Sequence, residues 1–366
     1  MARYRDDAPP GGDSRFAEWE QRLYLRLSEI AAARKDRELF DQAKRSAESN
    51  QPVESRRSAL RWVAAAQARA GLADDAIRTL DDGDDGGFAS EEIALALAGA
   101  GRPHDASSAV LRLAAPEARV RALLRAARTS KDTRYLDQAA SIIRELEDGY
   151  QQSELRPPFV IAYAELGRID DALRLVRSIA VSYHRALALA GIASLSRDHL
   201  QLAEARSYAT GFDGRGQEDE VWAALAQAET ALGLLDGARK TLETHLPAAP
   251  SRPLAAAAGE LAAAFWLKDD VAAAETLLES LLAGSWAIGE ARAVLARRLI
   301  AVGRFADARR VSFLADEITF DNLSAEIALR QAATGAFREA LETADKIQHP
   351  GRRSPTLAEI AAMMPD

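Results

Sequence analysis

The chain has 366 residues with 48% hydrophobic content and a net charge of −8 from 47 basic and 55 acidic residues. One compact core does not grow to that length, so the chain is either several domains or a repeat array. The acidic balance argues against non-specific nucleic-acid binding, and the absence of cysteine removes disulfides, thiolate chemistry and cysteine-based zinc sites.

Along the chain, residues 1–15 (MARYRDDAPPGGDSR) contain no apolar run. They are expected to be disordered, and to be neither signal peptide nor anchor. No stretch reaches the roughly 20 unbroken apolar residues of a membrane helix, which predicts a soluble, cytoplasmic protein without membrane attachment.

From residue 16 onward one phrase recurs: a turn residue, two or three positions, an acid, then alanine. It reads Gly71-Leu-Ala-Asp-Asp-Ala76, Gly167-Arg-Ile-Asp-Asp-Ala172, Gly233-Leu-Leu-Asp-Gly-Ala238, Gly303-Arg-Phe-Ala-Asp-Ala308 and Gly335-Ala-Phe-Arg-Glu-Ala340. Weaker copies end at Ala43, Ala106 (with Gly101), Ala139, Ala205 and Ala274. The ten anchors are spaced by 33, 30, 33, 33, 33, 33, 36, 34 and 32 residues. Twelve positions before each anchor stands alanine in nine cases and Val160 in the tenth.

Each unit therefore reads as a helix, a glycine turn and a second helix. The glycine leaves the first helix in a left-handed conformation, and the acid sits at the positive end of the second. The paired small residues mark a close approach between helices. One hairpin cannot cover its own apolar face, so neighbouring hairpins must stack. An eleventh anchor would fall at 373, past the last residue, so residues 354–364 are predicted to be a lone helix capping the stack.

Three connections look irregular. They are Asp148–Pro158, with its Pro157-Pro158 pair, the phrase Gly211–Gly216, and Pro247–Pro253. Proline starts a helix but does not suit its interior, so a pitch change is expected near 148–158, within a single array spanning 16–366.

The repeated phrase, with the small residue twelve before it, resembles the tetratricopeptide repeat, whose period is near 34. The resemblance covers roughly residues 22–364. The family's early aromatic appears as Trp222, with Leu60, Leu123 and Leu189 at that place elsewhere. The resemblance implies an all-α, right-handed superhelical α-solenoid of about ten helix-turn-helix repeats with a C-terminal capping helix. It also implies a concave groove, lined by the first helices, that binds a protein or peptide.

In that phase the groove positions carry Arg61, Arg128, Lys131, Arg197, Trp266 and Arg297. Arginine pairs carboxylates in a fork and tryptophan is an apolar anchor, so the partner would be acidic or amphipathic. The carboxylate-clamp form needs asparagines in successive first helices, and only Asn50 and Asn322 exist.

No catalytic chemistry or cofactor is predicted. The five histidines (His104, His184, His199, His245 and His349) fall in different repeats, and no nucleophile elbow, phosphate loop or dinucleotide fingerprint is present. The acidic stretch Asp81–Glu92 has the length of a calcium loop, but Gly83 stands where an oxygen ligand belongs. A turn whose acids begin the next helix explains it better. The resulting expectation is a non-enzymatic, bacterial-type interaction scaffold. The alternatives are a ligand-responsive regulator and an enzyme subunit.

Overall fold

The computed structural model describes residue 28 and residues 31–32, 35–49, 53–80, 87–146, 149–209, 218–246, 250–282 and 286–364. Among them are twenty helices and no strand, so the fold is all-α. The expected disorder of 1–15, the phrase 211–216, residues 247–249 and the start of the acidic stretch (81–86) lie outside the described residues. The chain forms two compact units, Met1–Ala139 and Ala140–Asp366, and each is taken by itself.

The first unit contains α1 (Arg37–Glu48), α2 (Val53–Arg69), α3 (Ala73–Thr79), α4 (Gly87–Gly99), α5 (Pro103–Leu111), α6 (Pro116–Ser130) and the start of α7 (Arg134–Glu145). Helix α2 packs on α4 and α4 on α6, while α1, α3 and α5 each pack against the first helix that follows.

The second unit continues with α8 (Gly149–Glu165), α9 (Ile169–Val176), α10 (Ser182–Ser196), α11 (His199–Ala209), α12 (Glu218–Ala231), α13 (Leu235–His245) and α14 (Arg252–Leu267). It ends with α15 (Val271–Leu282), α16 (Ala287–Ala301), α17 (Phe305–Ser312), α18 (Glu317–Ala333), α19 (Phe337–Ala344) and α20 (Pro350–Met363). The even-numbered helices form a continuous layer, each packed on the next, and the odd-numbered ones fold back as their hairpin partners. Within each unit, stacked hairpins make an α-solenoid.

The small-residue pattern has a direct physical counterpart. All ten anchor alanines are 0% exposed, and the residues twelve before them are 0% exposed apart from Val160 at 1%. A methyl group is what the space admits. The approach is closest to the backbone at Gly259 of α14 among the described glycines, where an added Cβ would lie 2.4 Å from the Ala291 carbonyl oxygen of α16.

The turns come in two kinds. Gly71, Gly101, Gly167, Gly233, Gly303 and Gly335 all have φ between 71° and 84°. The residue after each donates back to the first helix, as in Leu72 N to Gln67 O (2.9 Å) and Arg304 N to Leu299 O (2.9 Å). Lys35, Lys131, Arg197 and Asp269 take the same left-handed conformation without being glycine. Each is followed by an aspartate whose carboxylate caps the next helix. Asp36 accepts from Glu38 N (3.0 Å), Asp132 from Arg134 N (2.9 Å), Asp198 from Leu200 N (2.8 Å) and Asp270 from Ala273 N (3.0 Å). The left-handed conformation costs roughly 1–2 kcal/mol for a residue with a Cβ, and a side-chain N-cap contributes about 1 kcal/mol, so the two nearly offset. At Lys35, Lys131 and Arg197 the turn falls three residues earlier relative to the anchor than the glycine turns do. About one helical turn has moved from the first helix to the second, which keeps the buried face in phase.

Two sequence expectations are corrected. Pro157 and Pro158 lie inside α8, which begins at Gly149 and runs unbroken to Glu165. The continuous helix buries Leu155, Phe159, Val160 and Tyr163, and that burial outweighs the backbone bonds the prolines forfeit. The capping helix starts at Pro350 rather than 354, with Pro355 in its interior. Its entry is held by Asp321 of α18, a buried carboxylate that accepts from Gln348 N (2.9 Å) and His349 N (2.8 Å).

Candidate functional site

The six residues expected to line a groove are split between the two units, three in each. Arg61 of α2 and Arg128 of α6 are half-buried, and Arg297 of α16 is exposed. The other three do not lie on an exposed face of a first helix. Lys131 and Arg197 sit beyond the ends of α6 and α10, in the left-handed turns. Trp266 is 2% exposed. It follows anchor-phase Ala262 by four residues, so it shares the core face of α14. The Arg310 guanidinium lies 5.7 Å from its ring centroid, and Arg304 donates to its carbonyl oxygen at 3.2 Å. Trp266 is core, not an anchor for a ligand.

The charges of the first-helix layer are largely committed to one another. In the first unit Arg125 pairs with Glu91, one hairpin earlier. This places Glu91 in α4, as the turn reading of the acidic stretch expects; Phe88 and Glu92, positions eight and twelve of the supposed calcium loop, are helical too. In the second unit Arg252 reaches Glu290 (3.1 Å), Arg298 reaches Glu260 (2.6 Å) and Arg297 reaches Glu326 (3.3 Å). His184 Nε2 lies 3.3 Å from Glu154, and the Tyr183 hydroxyl donates to Glu220. These pairs bridge successive first helices. They tie hairpin to hairpin, so these arginines are mated within the chain rather than presented to a ligand.

A second set of arginines works at the turns. Arg102 and Arg304 occupy the N-cap position after their glycines. Arg102 Nε donates to Asp105 (2.7 Å) and Arg304 Nε to Asp307 (2.6 Å), the acid of the repeated phrase in each case. Arg168 pairs with Asp171 in the same way. Arg102 and Arg304 also reach the preceding hairpin, at Asp74 (2.8 Å) and Asp269 (3.0 Å). The acid read from sequence as a partner of the helix dipole is therefore also one half of an arginine fork.

Sequence reasoning missed two features. The first is a buried polar pair that recurs in three hairpins. Thr79 donates to Gln67 (2.8 Å), Thr241 to Glu229 (2.8 Å) and Thr343 to Gln331 (2.9 Å). In the middle case the acceptor is a carboxylate, 1% exposed, which also takes an ion pair from Arg206 of α11. Beside it a cleft of about 520 Å³ opens between α11 and α13. At the other end of α13, His245 is stacked on Trp222 with ring centroids 3.5 Å apart. Burial lowers the His245 pKa from its ordinary value, with Arg206 adding to the effect and Glu218 opposing it. The constant twelve-residue offset within the three Gln/Glu–Thr pairs was the available signal.

The second missed feature is an apolar edge where α17 passes into α18. Phe313 is 77% exposed, Leu314 51% and Ile318 76%. Phe313 meets Phe320 edge-on with ring centroids 6.3 Å apart. Helix α16 lies alongside, since Arg292 Nη1 donates to the Leu314 carbonyl oxygen at 2.9 Å. Trp286, the N-cap of that helix, is 61% exposed. Clustered exposed apolar side chains mark interaction sites, whereas scattered ones do not.

Among the described residues no group of three or more histidine, aspartate or glutamate side chains is placed to hold a metal ion. No helix among them is long and apolar enough to cross a membrane.

No protein-family description and no curated protein matches the chain. Among solved structures, the crystal structure of Ton1535 from Thermococcus onnurineus NA1 aligns with 92% of this chain and 99% of its own, at 13% identity and a TM-score of 0.26. A likeness of that order carries no argument about shape or function.

Proposed function

We propose that the chain is a tetratricopeptide-like scaffold, without catalytic chemistry, that binds an amphipathic segment of a partner protein in the cytoplasm. The observation that supports this reading is the exposed apolar edge of Phe313, Leu314 and Ile318. Aromatic and aliphatic anchors on a rigid helical frame suit the apolar face of a helix or extended peptide. The internal pairing of the first-helix arginines favours an amphipathic partner over a purely acidic one.

The test is affinity capture from the source organism with immobilised wild-type chain and with the Phe313→Asp/Ile318→Asp double variant. Circular dichroism establishes that the variant is folded. The reading predicts a discrete protein recovered by the wild type and reduced at least about tenfold on the variant, the loss of a typical hot-spot pair. Equal recovery on both would remove the edge as the docking site.

A further inference from the structure

We propose that the cleft between α11 and α13 is a recognition pocket for one guanidinium group on an aliphatic stem. At the turn of three hairpins the protein places its own guanidinium on the carboxylate of the second helix's first turn: Arg102 on Asp105, Arg168 on Asp171 and Arg304 on Asp307. In the α12–α13 hairpin both halves of that fork are missing. Leu234 stands where the arginine belongs and Gly237 where the acid belongs. The carboxylate is supplied instead by Glu229, from the first helix. An added Cβ at Gly237 would lie 3.7 Å from Glu229 Oε1, so the glycine leaves room beside that carboxylate.

The charge on Glu229 is not needed to hold the hairpin together. Gln67 and Gln331 occupy the equivalent place and accept the same threonine bond while neutral. Burying a carboxylate there instead carries a desolvation penalty that neutral Gln67 and Gln331 do not. Arg206 itself is half exposed and comes from the preceding hairpin. A carboxylate offers about four acceptor positions, and Arg206 and Thr241 use one each. The cleft walls are Leu202, Ala203 and Leu234, which suit methylene groups, and Asp236 adds a second carboxylate to the lining. An open cleft with an apolar wall, polar groups at His199 and Asp236 and a buried carboxylate at its floor fits an arginine side chain, whose planar fork pairs a carboxylate with two parallel bonds.

The site is separate from the apolar edge, and the two stand or fall by different experiments. Calorimetric titration of the full chain with N-acetyl-arginine amide, and with its neutral isostere N-acetyl-citrulline amide, reads the pocket directly. The arginine compound is expected to bind and the citrulline compound not to. Glu229→Gln, which reproduces the internal precedent of Gln67 and Gln331, should stay folded and weaken binding by about tenfold or more, the loss of a charged hydrogen bond. Gly237→Leu should block the cleft. Arg206→Ala removes the resident competitor and should tighten binding. A tripeptide with central arginine binding better than agmatine would place the group on a protein partner; the reverse would place it on a free metabolite. The proposal is overturned if the wild type fails to bind the arginine compound, if Glu229→Gln binds it as well as wild type, or if Arg206→Ala abolishes binding.

Discussion

Replacing Gly259 by alanine tests the packing account where it is most exposed to failure. In an ordinary helix interior this change stabilises by roughly 0.5–1 kcal/mol, because glycine loses more backbone freedom on folding. At Gly259 the new Cβ would meet Ala291 O at 2.4 Å and Val294 Cβ at 2.8 Å. The first of these is backbone, so relief requires α14 and α16 to move apart rather than a side chain to rotate. Overpacking of that kind costs typically about 1–3 kcal/mol. The clash therefore wins, and the expected net effect is a destabilisation on the order of 1–2 kcal/mol. Gly289 supplies the control. It lies in α16, and a Cβ there would meet only Asp316 Oδ2, at 3.6 Å, so Gly289→Ala should stabilise. Guanidinium denaturation followed by circular dichroism, with both variants beside wild type, should show midpoints moving in opposite directions. Gly259→Ala moving upward together with Gly289→Ala would refute the close approach of the two helices.

The turn chemistry predicts that Lys131→Gly stabilises, on the order of 1 kcal/mol, by relieving a left-handed residue, while Asp132→Ala costs about 1 kcal/mol by removing the N-cap; thermal unfolding of the two single variants checks both signs. The Thr–Gln/Glu pairs predict that Glu229→Gln is tolerated, whereas Glu229→Ala, which strands Thr241 and Arg206, destabilises by about 1–3 kcal/mol, measured by denaturant midpoint. For His245, burial lowers the folded-state pKa, so the unfolded chain binds its proton more readily. The contribution of a neutral His245 is complete above pH 6.5, the ordinary value, and is lost as pH falls through the lower folded-state pKa. Stability compared between pH 7.5 and 5.5 should therefore fall more for wild type than for His245→Phe, and equal falls would contradict the burial argument.

Much of the fold was legible because the constraint repeats. A space that admits only a methyl group recurs ten times, so Ala43 to Ala340 could be phased without knowing a single contact. The glycine turns were legible for the same reason. The turns at Lys35, Lys131 and Arg197 were not, because a helical turn had moved across them and an Asp cap had replaced the glycine; the Lys-Asp and Arg-Asp dipeptides were the trace. Pro157-Pro158 misled because local propensity was weighed without the apolar stripe from Leu155 to Tyr163 that the helix must bury. Trp266 misled for the opposite reason, since an aromatic residue was assigned to a surface although its four-residue offset from Ala262 already placed it in the core. The candidate site was the least legible part. Whether an arginine on a helix face is available or mated depends on the residue one hairpin away, as Arg297 and Glu326 show. Nor does a one-letter row distinguish the exposed Phe313 from a buried phenylalanine such as Phe159.

The proposed docking surface is the edge where α17 meets α18. The most direct measurement is photo-crosslinking in cells of the source organism, with a benzoyl-phenylalanine placed at position 313 and, as control, at exposed Lys240 of α13. One discrete crosslinked protein is expected from position 313 and absent from position 240. No adduct from 313, or the same adducts from both positions, would contradict it.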